Sequence, residues 1–294
     1  MTELFSNQWH IRHDFMDSRA LEIRRKTDEM YSTPHVNFAA WLINKHKYWR
    51  GDEVVLDINP TDGVFFDLID TVIPNGVYVA ADVSSTLLRS AFRHPLSESV
   101  HFTIYDEVLP FADNSFDIII ANHILFHFDD PDVILSEFSR VLKDDGVLIA
   151  STDSQYTMSE FDTLTRRALT LLGKPPRSND IYYGRIVEPF ALESGAVQLS
   201  HWFQAVARYE LPSSLVFKEP RPVVDFLNSH RPILEPTLPE GIRWEDYIAI
   251  MDDQVRRLIN HFSELTINRL SGVLLATNRG GFARDYFHRL ENGL

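Results

Sequence analysis

The sequence predicts an α/β protein with a doubly wound, mostly parallel sheet of seven strands and helical cap insertions. Three observations support this fold class. From residue 51, short apolar, β-branched runs alternate with amphipathic stretches, which is typical of consecutive βαβ units. Turn-forming Pro-Asn-Gly and Asp-Asp-Gly segments, at 74–76 and 144–146, mark points where a helix ends and a strand begins. The 294 residues can also bury one large core with insertions.

The pattern predicts each element in turn. Two helices come first, at about 8–30 and 36–48, joined through Ser32-Thr33-Pro34. The predicted strands are Glu53–Ile58, Val77–Val83, Val100–Tyr105, Phe116–Ala121, Gly146–Ser151, Val206–Leu211 and Val273–Thr277. Further helices are predicted near 64–73, 85–94 and 131–142, and over Met158–Leu172 and Trp244–Phe262. Because crossovers between parallel strands are right-handed, helices should cover both faces of the sheet.

Four segments follow from this pattern. An N-terminal helical lid is expected over 1–50, a Rossmann-like core over 51–154, and the last strand with a C-terminal tail over 271–294. Between them, 155–270 is expected to be a substrate-cap insertion that carries one sheet strand. The rhythm changes after residue 151, where Lys174-Pro175-Pro176 breaks a helix and Ile181–Gly184 forms an aromatic loop.

Charge and composition limit the partners. The formal net charge is −14, and residues 51–160 hold 20 Asp and Glu against 4 Lys and Arg. Such a surface repels phosphate backbones, so a nucleic-acid partner is not expected. The chain has no cysteine, which excludes disulfides, thiolate nucleophiles and Cys-ligated metal centres.

The apolar segments indicate the compartment. The first thirty residues lack the apolar stretch of a secretion signal, and no later run approaches the roughly 18 residues of a membrane span. We therefore expect a soluble, cytoplasmic protein with no membrane partner, present as a monomer or homodimer.

Candidate ligand-binding residues follow the first two core strands. In an open parallel sheet, ligands bind outside the carboxyl ends of the strands where strand order reverses. The first loop reads Asp57-Ile58-Asn59-Pro60-Thr61-Asp62-Gly63, in which Asn59 tolerates a positive φ and Gly63 lacks a Cβ. Asp82 lies nineteen residues after Gly63, close to the spacing at which an acid accepts hydrogen bonds from a ribose diol. The same Asp82 could equally cap a helix beginning near Ser84.

Two linked motifs carry a family resemblance. Residues 109–123 read LPFADNSFDIIIANH, and residues 137–146 read EFSRVLKDDG. Together they resemble the class I S-adenosylmethionine-dependent methyltransferases of the small-molecule, UbiE-like type (methyltransferase type 11). The resemblance covers about 30–155, and Gly272–Arg279 resembles the family's last, antiparallel strand. It implies methyl transfer to a small-molecule acceptor, with S-adenosylmethionine as cofactor and S-adenosylhomocysteine as product.

The resemblance also implies a cofactor site within 51–154. Asp57 and Gly63 match the methionine-binding loop, in which Asn59 and Thr61 replace glycines, and Asp82 matches the ribose-binding acid. Asn122-His123 would lie beside the sulfonium, and Tyr105, next to Asp106, aligns with the acid that caps adenine. The implied cofactor-binding set is Asp57, Asn59, Thr61, Gly63, Asp82, Val83, Tyr105, Asp106, Glu107, Asn122 and His123.

The candidate residues for binding the methyl acceptor lie outside the core strands. We expect 155–205 and the N-terminal helices to close over a small, partly apolar acceptor. The candidate acceptor-binding residues are Tyr31, His35, Trp41, His127, Tyr182 and Tyr183. Aromatic residues at such positions also serve as hydrophobic packing.

His123 is the candidate catalytic residue, since a general base is needed only where the nucleophile keeps its proton. His123 and His127 are four residues apart, but Ile124 stands where the metalloprotease motif has its glutamate, so no metal site is predicted.

Two other functions fit parts of the pattern. A chain of this fold that has lost S-adenosylmethionine could act as a binding or regulatory subunit, which is consistent with the two glycine replacements in the loop. A nicotinamide enzyme also has a strand, turn, helix and later acid, but the chain lacks the pyrophosphate-binding G-x-G-x-x-G.

Overall fold

The structure is a computed structural model that describes residues 17–60, 63–82, 88, 91, 93–96, 100–104, 108–177 and 180–291. Its strands are β1 (Ser32–Thr33), β2 (Val54–Ile58), β3 (Val77–Asp82), β4 (Val100–Ile104), β5 (Phe116–Asn122), β6 (Leu142–Asp153), β7 (Ala205–Phe217) and β8 (Leu265–Thr277). They form one sheet in the order β1-β7-β8-β6-β5-β2-β3-β4. The predicted α/β class with a Rossmann-like sheet is confirmed.

The sheet has eight strands in the described residues, so the predicted number of seven is wrong. The additional strand, β1, is two residues long and pairs antiparallel with Ser214 and Leu215 of β7. A two-residue strand is too short for any hydrophobic alternation, and only the presence of β7 makes it a strand. β6, β7 and β8 are also longer than predicted, because backbone pairing continues beyond their apolar runs.

The middle of the sheet is parallel. β2 pairs with β3 and β5, β3 with β4, and β5 with β6, all in parallel. The chain therefore proceeds from β2 to β3 and β4 on one side, then returns to place β5 and β6 on the other. Strand order reverses between β2 and β5, and this is the point at which such sheets bind ligands.

Helices begin and end where local side chains satisfy the backbone. They are α1 (Ser18–Tyr31), α2 (Phe38–Ile43), α3 (Phe66–Val72), α4 (Pro131–Val141), α5 (Ser159–Leu171), α6 (Leu192–Ser200), α7 (Pro220–Ser229), α8 (Arg231–Leu234), α9 (Trp244–Phe262) and α10 (Arg284–Glu291). The Asp130 carboxylate accepts a bond from the Asp132 amide before α4, and Pro131 takes the first helical position. α2 is shorter than predicted, because the Asn44 side chain donates to the Ala40 carbonyl at its end.

The described chain divides into two compact units. The core unit comprises Asn37–Thr152, Phe190–Glu210 and the chain from Gly272 onward. The helical unit comprises the chain up to Val36, Asp153–Pro189 and Leu211–Ser271. Residues 37–50, which the sequence groups with the N-terminal lid, fall in the core unit, as do 190–210 from the expected cap insertion.

Apolar side chains on one face of the sheet pack with those of α2 and α3 in the interior of the core unit. Leu42 of α2, Phe66 and Ile69 of α3, and Ile118 and Ile120 of β5 belong to one buried cluster. At roughly 25 cal/mol per Å² of buried apolar area, this cluster is a main source of the unit's stability. Within the described ranges, no helix has both the length and the apolar composition needed to cross a membrane.

Candidate functional site

Four polar residues come together at the carboxyl edge of the parallel strands in the core unit. Asp57 and Asp82 lie at the ends of β2 and β3, and Asn122 and Ser151 are register partners at the ends of β5 and β6. Asp57, Asp82 and Ser151 are buried, and Asn122 is partly buried. The parallel register therefore gathers at one edge residues that are far apart in the sequence.

The Asp57 side chain is fully buried, and one of its two carboxyl oxygens is hydrogen-bonded to a tyrosine. Its Oδ2 accepts a 2.5 Å hydrogen bond from the Tyr78 hydroxyl. Its Oδ1 is buried and has no hydrogen-bond partner in the described part of the chain. Burial raises the pKa of Asp57 to about 7; the Tyr78 hydrogen bond opposes that shift, and the nearby Asp82 carboxyl adds to it.

The described part of the loop after β2 contains two residues with a positive φ. Asn59 has φ 63° and Gly63 has φ 82°, both in the left-handed region. The Asn59 amide donates to the Ala81 carbonyl at 2.8 Å, and its side-chain Nδ2 is buried with no hydrogen-bond partner among the residues described. A Cβ on Gly63 would lie 2.9 Å from the Phe66 ring. Gly63 is therefore required by the packing of α3 as well as by the turn.

Ser151 organises the ends of β5 and β6. Its hydroxyl donates to Asn122 Oδ1 at 2.7 Å and accepts from the His123 amide at 3.0 Å. His123 has φ 49°, a strained backbone that such contacts hold in place. The His123 ring lies 5.2 Å from the Phe38 ring, between centroids.

The two sequence motifs are linked by hydrogen bonds between a turn and α4. Glu137 accepts from the Leu109 amide at 2.9 Å, while Arg140 donates to the Leu109 and Phe111 carbonyls at 3.1 and 2.8 Å. Arg140 also pairs with Glu137 at 2.7 Å and holds the pKa of that carboxyl below its usual range. This network gives the physical reason for the joint occurrence of LPF and EFSRV in the chain.

The predicted acceptor-binding residues fall in both units. In the helical unit, Tyr31 packs on Phe217, His35 is exposed, and the amides of buried Tyr182 and Tyr183 donate to Asp162 Oδ1 at 3.1 and 2.7 Å. In the core unit, Trp41 stacks on Phe38 with Lys45 Nζ 4.5 Å from its ring centroid, and His127 is buried against Phe126. Their roles in acceptor binding stay predictions.

Some predicted residues cannot be placed, and some site residues escape the sequence pattern. Thr61, Val83, Tyr105, Asp106 and Glu107 lie outside the described residues. Tyr78 and Ser151 are the two additions to the site. The sequence signal for Tyr78 is a hydroxyl within the apolar run Val77–Ala81, and Ser151 directly follows the apolar run Val147–Ala150.

Comparison with known proteins shows which family the chain belongs to. Residues 56–150 match the family model described as a methyltransferase domain. A ubiquinone/menaquinone biosynthesis C-methyltransferase UbiE of Hahella chejuensis is 30% identical over 167 residues, which are 53% of this chain and 67% of that protein. The chain belongs to the methyltransferase family.

Other relatives of this methyltransferase-family chain match over shorter stretches. A malonyl-[acyl-carrier protein] O-methyltransferase of Methylococcus capsulatus is 32% identical over 108 residues, 36% of this chain and 39% of that protein. The matched part thus spans well under half of that relative. A solved structure from Anabaena variabilis, described as a methyltransferase of an antibiotic biosynthesis pathway, has a TM-score of 0.53 at 15% identity. It covers 82% of this chain and 96% of that one, and it shows the shared fold.

Proposed function

We propose that this protein transfers a methyl group from S-adenosylmethionine to a small-molecule acceptor. The observation that supports it most is the placement of Asp57 and Asp82 at the carboxyl ends of neighbouring parallel strands, beside the point where strand order reverses. The positive φ angles of Asn59 and Gly63 add a loop whose backbone can approach a ligand closely.

The described residues fit such a cofactor. The buried Asp57 Oδ1 lacks a donor within the ranges described, and a ligand's ammonium group would supply one. Asp82 offers a buried carboxyl to a ribose diol, and Asn59 Nδ2 offers a donor without an acceptor in the described structure. Asp57 Oδ1 and Asn59 Nδ2 therefore offer one acceptor and one donor to a polar ligand.

The chain's own residues would bind and orient the reactants. S-adenosylmethionine supplies an activated methyl group on a sulfonium, which a nucleophile takes by displacement. Asp57 and Asp82 would hold the polar ends of the cofactor. Asn122, whose side chain is held by the Ser151 hydroxyl, would lie at the same edge of the sheet, next to His123. Alignment and exclusion of water account for most of the rate in such a displacement. His123 would take a proton from acceptors that keep one.

The acceptor is proposed to be small and partly apolar, and neutral or cationic. The excess of acidic residues over 51–160 favours these charges over a polyanion. Tyr31, His35, Trp41, His127, Tyr182 and Tyr183 are the residues proposed to contact it. A cytoplasmic location also stays a prediction from the sequence.

Calorimetric titration with S-adenosylhomocysteine tests the cofactor part. The wild-type protein should bind, and Asp82→Ala should weaken binding by about 1.5–3 kcal/mol, because it removes charge-assisted hydrogen bonds. Asp70→Ala is the matched control, since Asp70 is an exposed acid on α3 of the same unit and should leave affinity unchanged. If the wild type does not bind S-adenosylhomocysteine, the cofactor part of the proposal is wrong. The alternative role as a binding or regulatory subunit is then favoured.

Turnover tests the transfer itself. Formation of S-adenosylhomocysteine should be measured with panels of phenols, amines and carbon nucleophiles. His123→Gln should lower turnover with acceptors that keep a proton when each protein is saturated with cofactor, so that a change in cofactor affinity does not enter the comparison. Equal turnover by His123→Gln and wild type across all panels would exclude His123 as the general base.

A further inference from the structure

The surroundings of Asp57 contain no compensating positive charge in the described structure. Its register partners in the sheet are Ala80 of β3 and Ile120 of β5, both apolar. The titratable groups that act on it are Tyr78 and Asp82, both from β3, and neither is a cation. A carboxyl in such a place is expected to be protonated near neutral pH, because burial without a counter-charge disfavours ionisation.

Tyr78 is built into the sheet so that its hydroxyl can reach Asp57. It is the register partner of Val55, two residues before Asp57 on the same face of β2. Its ring packs edge-on against Phe66 at a centroid separation of 5.3 Å, and Phe66 in turn is the side chain that a Cβ on Gly63 would meet. The hydroxyl therefore approaches Asp57 from within the core, which leaves Oδ1 as the oxygen with no partner among the residues described.

We propose that Tyr78 is a positioning residue for Asp57, and that cofactor binding is coupled to release of one proton from the Asp57 carboxyl group. This inference rests on the proposed function. In the free protein below about pH 7 the carboxyl carries its proton. When a cationic ammonium group binds at Oδ1, the O–H bond of the carboxyl breaks, its electron pair stays on the carboxylate, and the proton goes to the solvent buffer.

The coupling has a definite direction with pH. Below the pKa of about 7, binding requires Asp57 to lose a proton, so affinity should rise about tenfold per pH unit as pH increases. Above that pKa the carboxylate already exists, and affinity should level off. The Tyr78 hydroxyl favours the ionised form, so Tyr78→Phe should move the levelling point to higher pH.

The test is calorimetry with S-adenosylhomocysteine from pH 5.5 to 9, in two buffers of different ionisation enthalpy at each pH. The difference between the two buffers gives the number of protons released. The wild type should release close to one proton at pH 6 and close to none at pH 8.5, and Asp57→Asn should release none from this site. At the pH where the wild type releases about half a proton on binding, Tyr78→Phe should release close to one.

Tyr247→Phe is the matched control. It also removes a buried tyrosine hydroxyl, which is 2.8 Å from Thr165 Oγ1 in the helical unit, and should leave the proton count unchanged. If Tyr78→Phe does not fold, the comparison of wild type with Asp57→Asn still decides the proton release. Binding without proton release at pH 6 would overturn the inference and leave the proposed function intact. Absence of binding at every pH would instead overturn the proposed function.

Discussion

At the scale of single residues, the buried Asp57 carboxyl opposes folding once the unfolded chain can ionise it. A buried acid whose pKa is raised from 3.8 to about 7 favours the folded state only while it is protonated. Active and binding sites commonly keep such groups at the expense of stability. The raised pKa of Asp57 can thus be measured through stability, without any ligand.

We expect Asp57→Asn to gain stability over the wild type as pH rises. Below about pH 4, Asp57 is protonated in both the folded and the unfolded chain, so the two proteins should differ by a constant amount. Between about pH 4 and 7 only the unfolded wild type ionises, so the difference should grow by up to about 1.4 kcal/mol per pH unit and then level off. Urea unfolding at several pH values measures it.

Asp70→Asn provides the comparison for this series, because Asp70 is exposed on α3. Its stability relative to the wild type should change much less over the same range. A difference between Asp57→Asn and wild type that stays flat from pH 4.5 to 7 would show that Asp57 titrates normally.

At the scale of elements, the turn between β2 and α3 combines a backbone requirement with a packing requirement. Gly63 has φ 82°, which an L-residue adopts at a cost of roughly 1–2 kcal/mol. A Cβ there would also press on the Phe66 ring, which supports Tyr78. The loop, the first turn of α3 and the Tyr78 side chain are therefore coupled by contact.

We expect Gly63→Ala to destabilise the protein by about 2–5 kcal/mol, the sum of backbone strain and overpacking. Gly173→Ala is a matched control, because Gly173 has φ 76° but nothing within 4 Å of an added Cβ. It should show the backbone cost alone, about 1–2 kcal/mol. Thermal and urea unfolding of the two variants measure the difference, and equal losses would contradict a packing role for Gly63.

At the scale of the whole molecule, each compact unit contains a buried neutral histidine. Burial lowers the pKa of His46 in the core unit to about 4 and that of His230 in the helical unit to about 3. The ordinary value is 6.5, so the unfolded chain binds protons at these positions well before the folded chain does. Stability is therefore lost in both units as pH falls below about 6.5.

We expect His46→Gln and His230→Gln to reduce this loss on acidification. Relative to the wild type, each variant should gain up to about 1.4 kcal/mol per pH unit as pH falls from 6.5 toward 4. His101→Gln is the control, since His101 is exposed on β4 and its replacement should change the slope little. Denaturant midpoints measured between pH 7 and 4.5 test this prediction. Midpoints that fall equally with pH in the wild type and in all variants would refute it.

The central elements could be predicted because their signals are local. Runs such as Val54–Ile58 and Phe116–Asn122 were located to within a residue or so at each end, and α9 has the predicted bounds, Trp244–Phe262. The spacing of polar and small residues after two strands predicts Asp57, Asn59, Gly63 and Asp82 as ligand-binding residues, and that role stays a prediction. The family resemblance likewise lies in two local motifs, at 109–123 and 137–146, and the family match over residues 56–150 includes both.

What only the tertiary structure decided is which distant residues meet. The parallel register of β2 and β3 brings the Tyr78 hydroxyl onto Asp57, and that of β5 and β6 brings Ser151 onto Asn122. β1 exists only because β7 is there to pair with it. Local patterns specify strands and turns, since they depend on neighbouring residues; strand order and register depend on the packing of the whole sheet, which determines the charge state of Asp57.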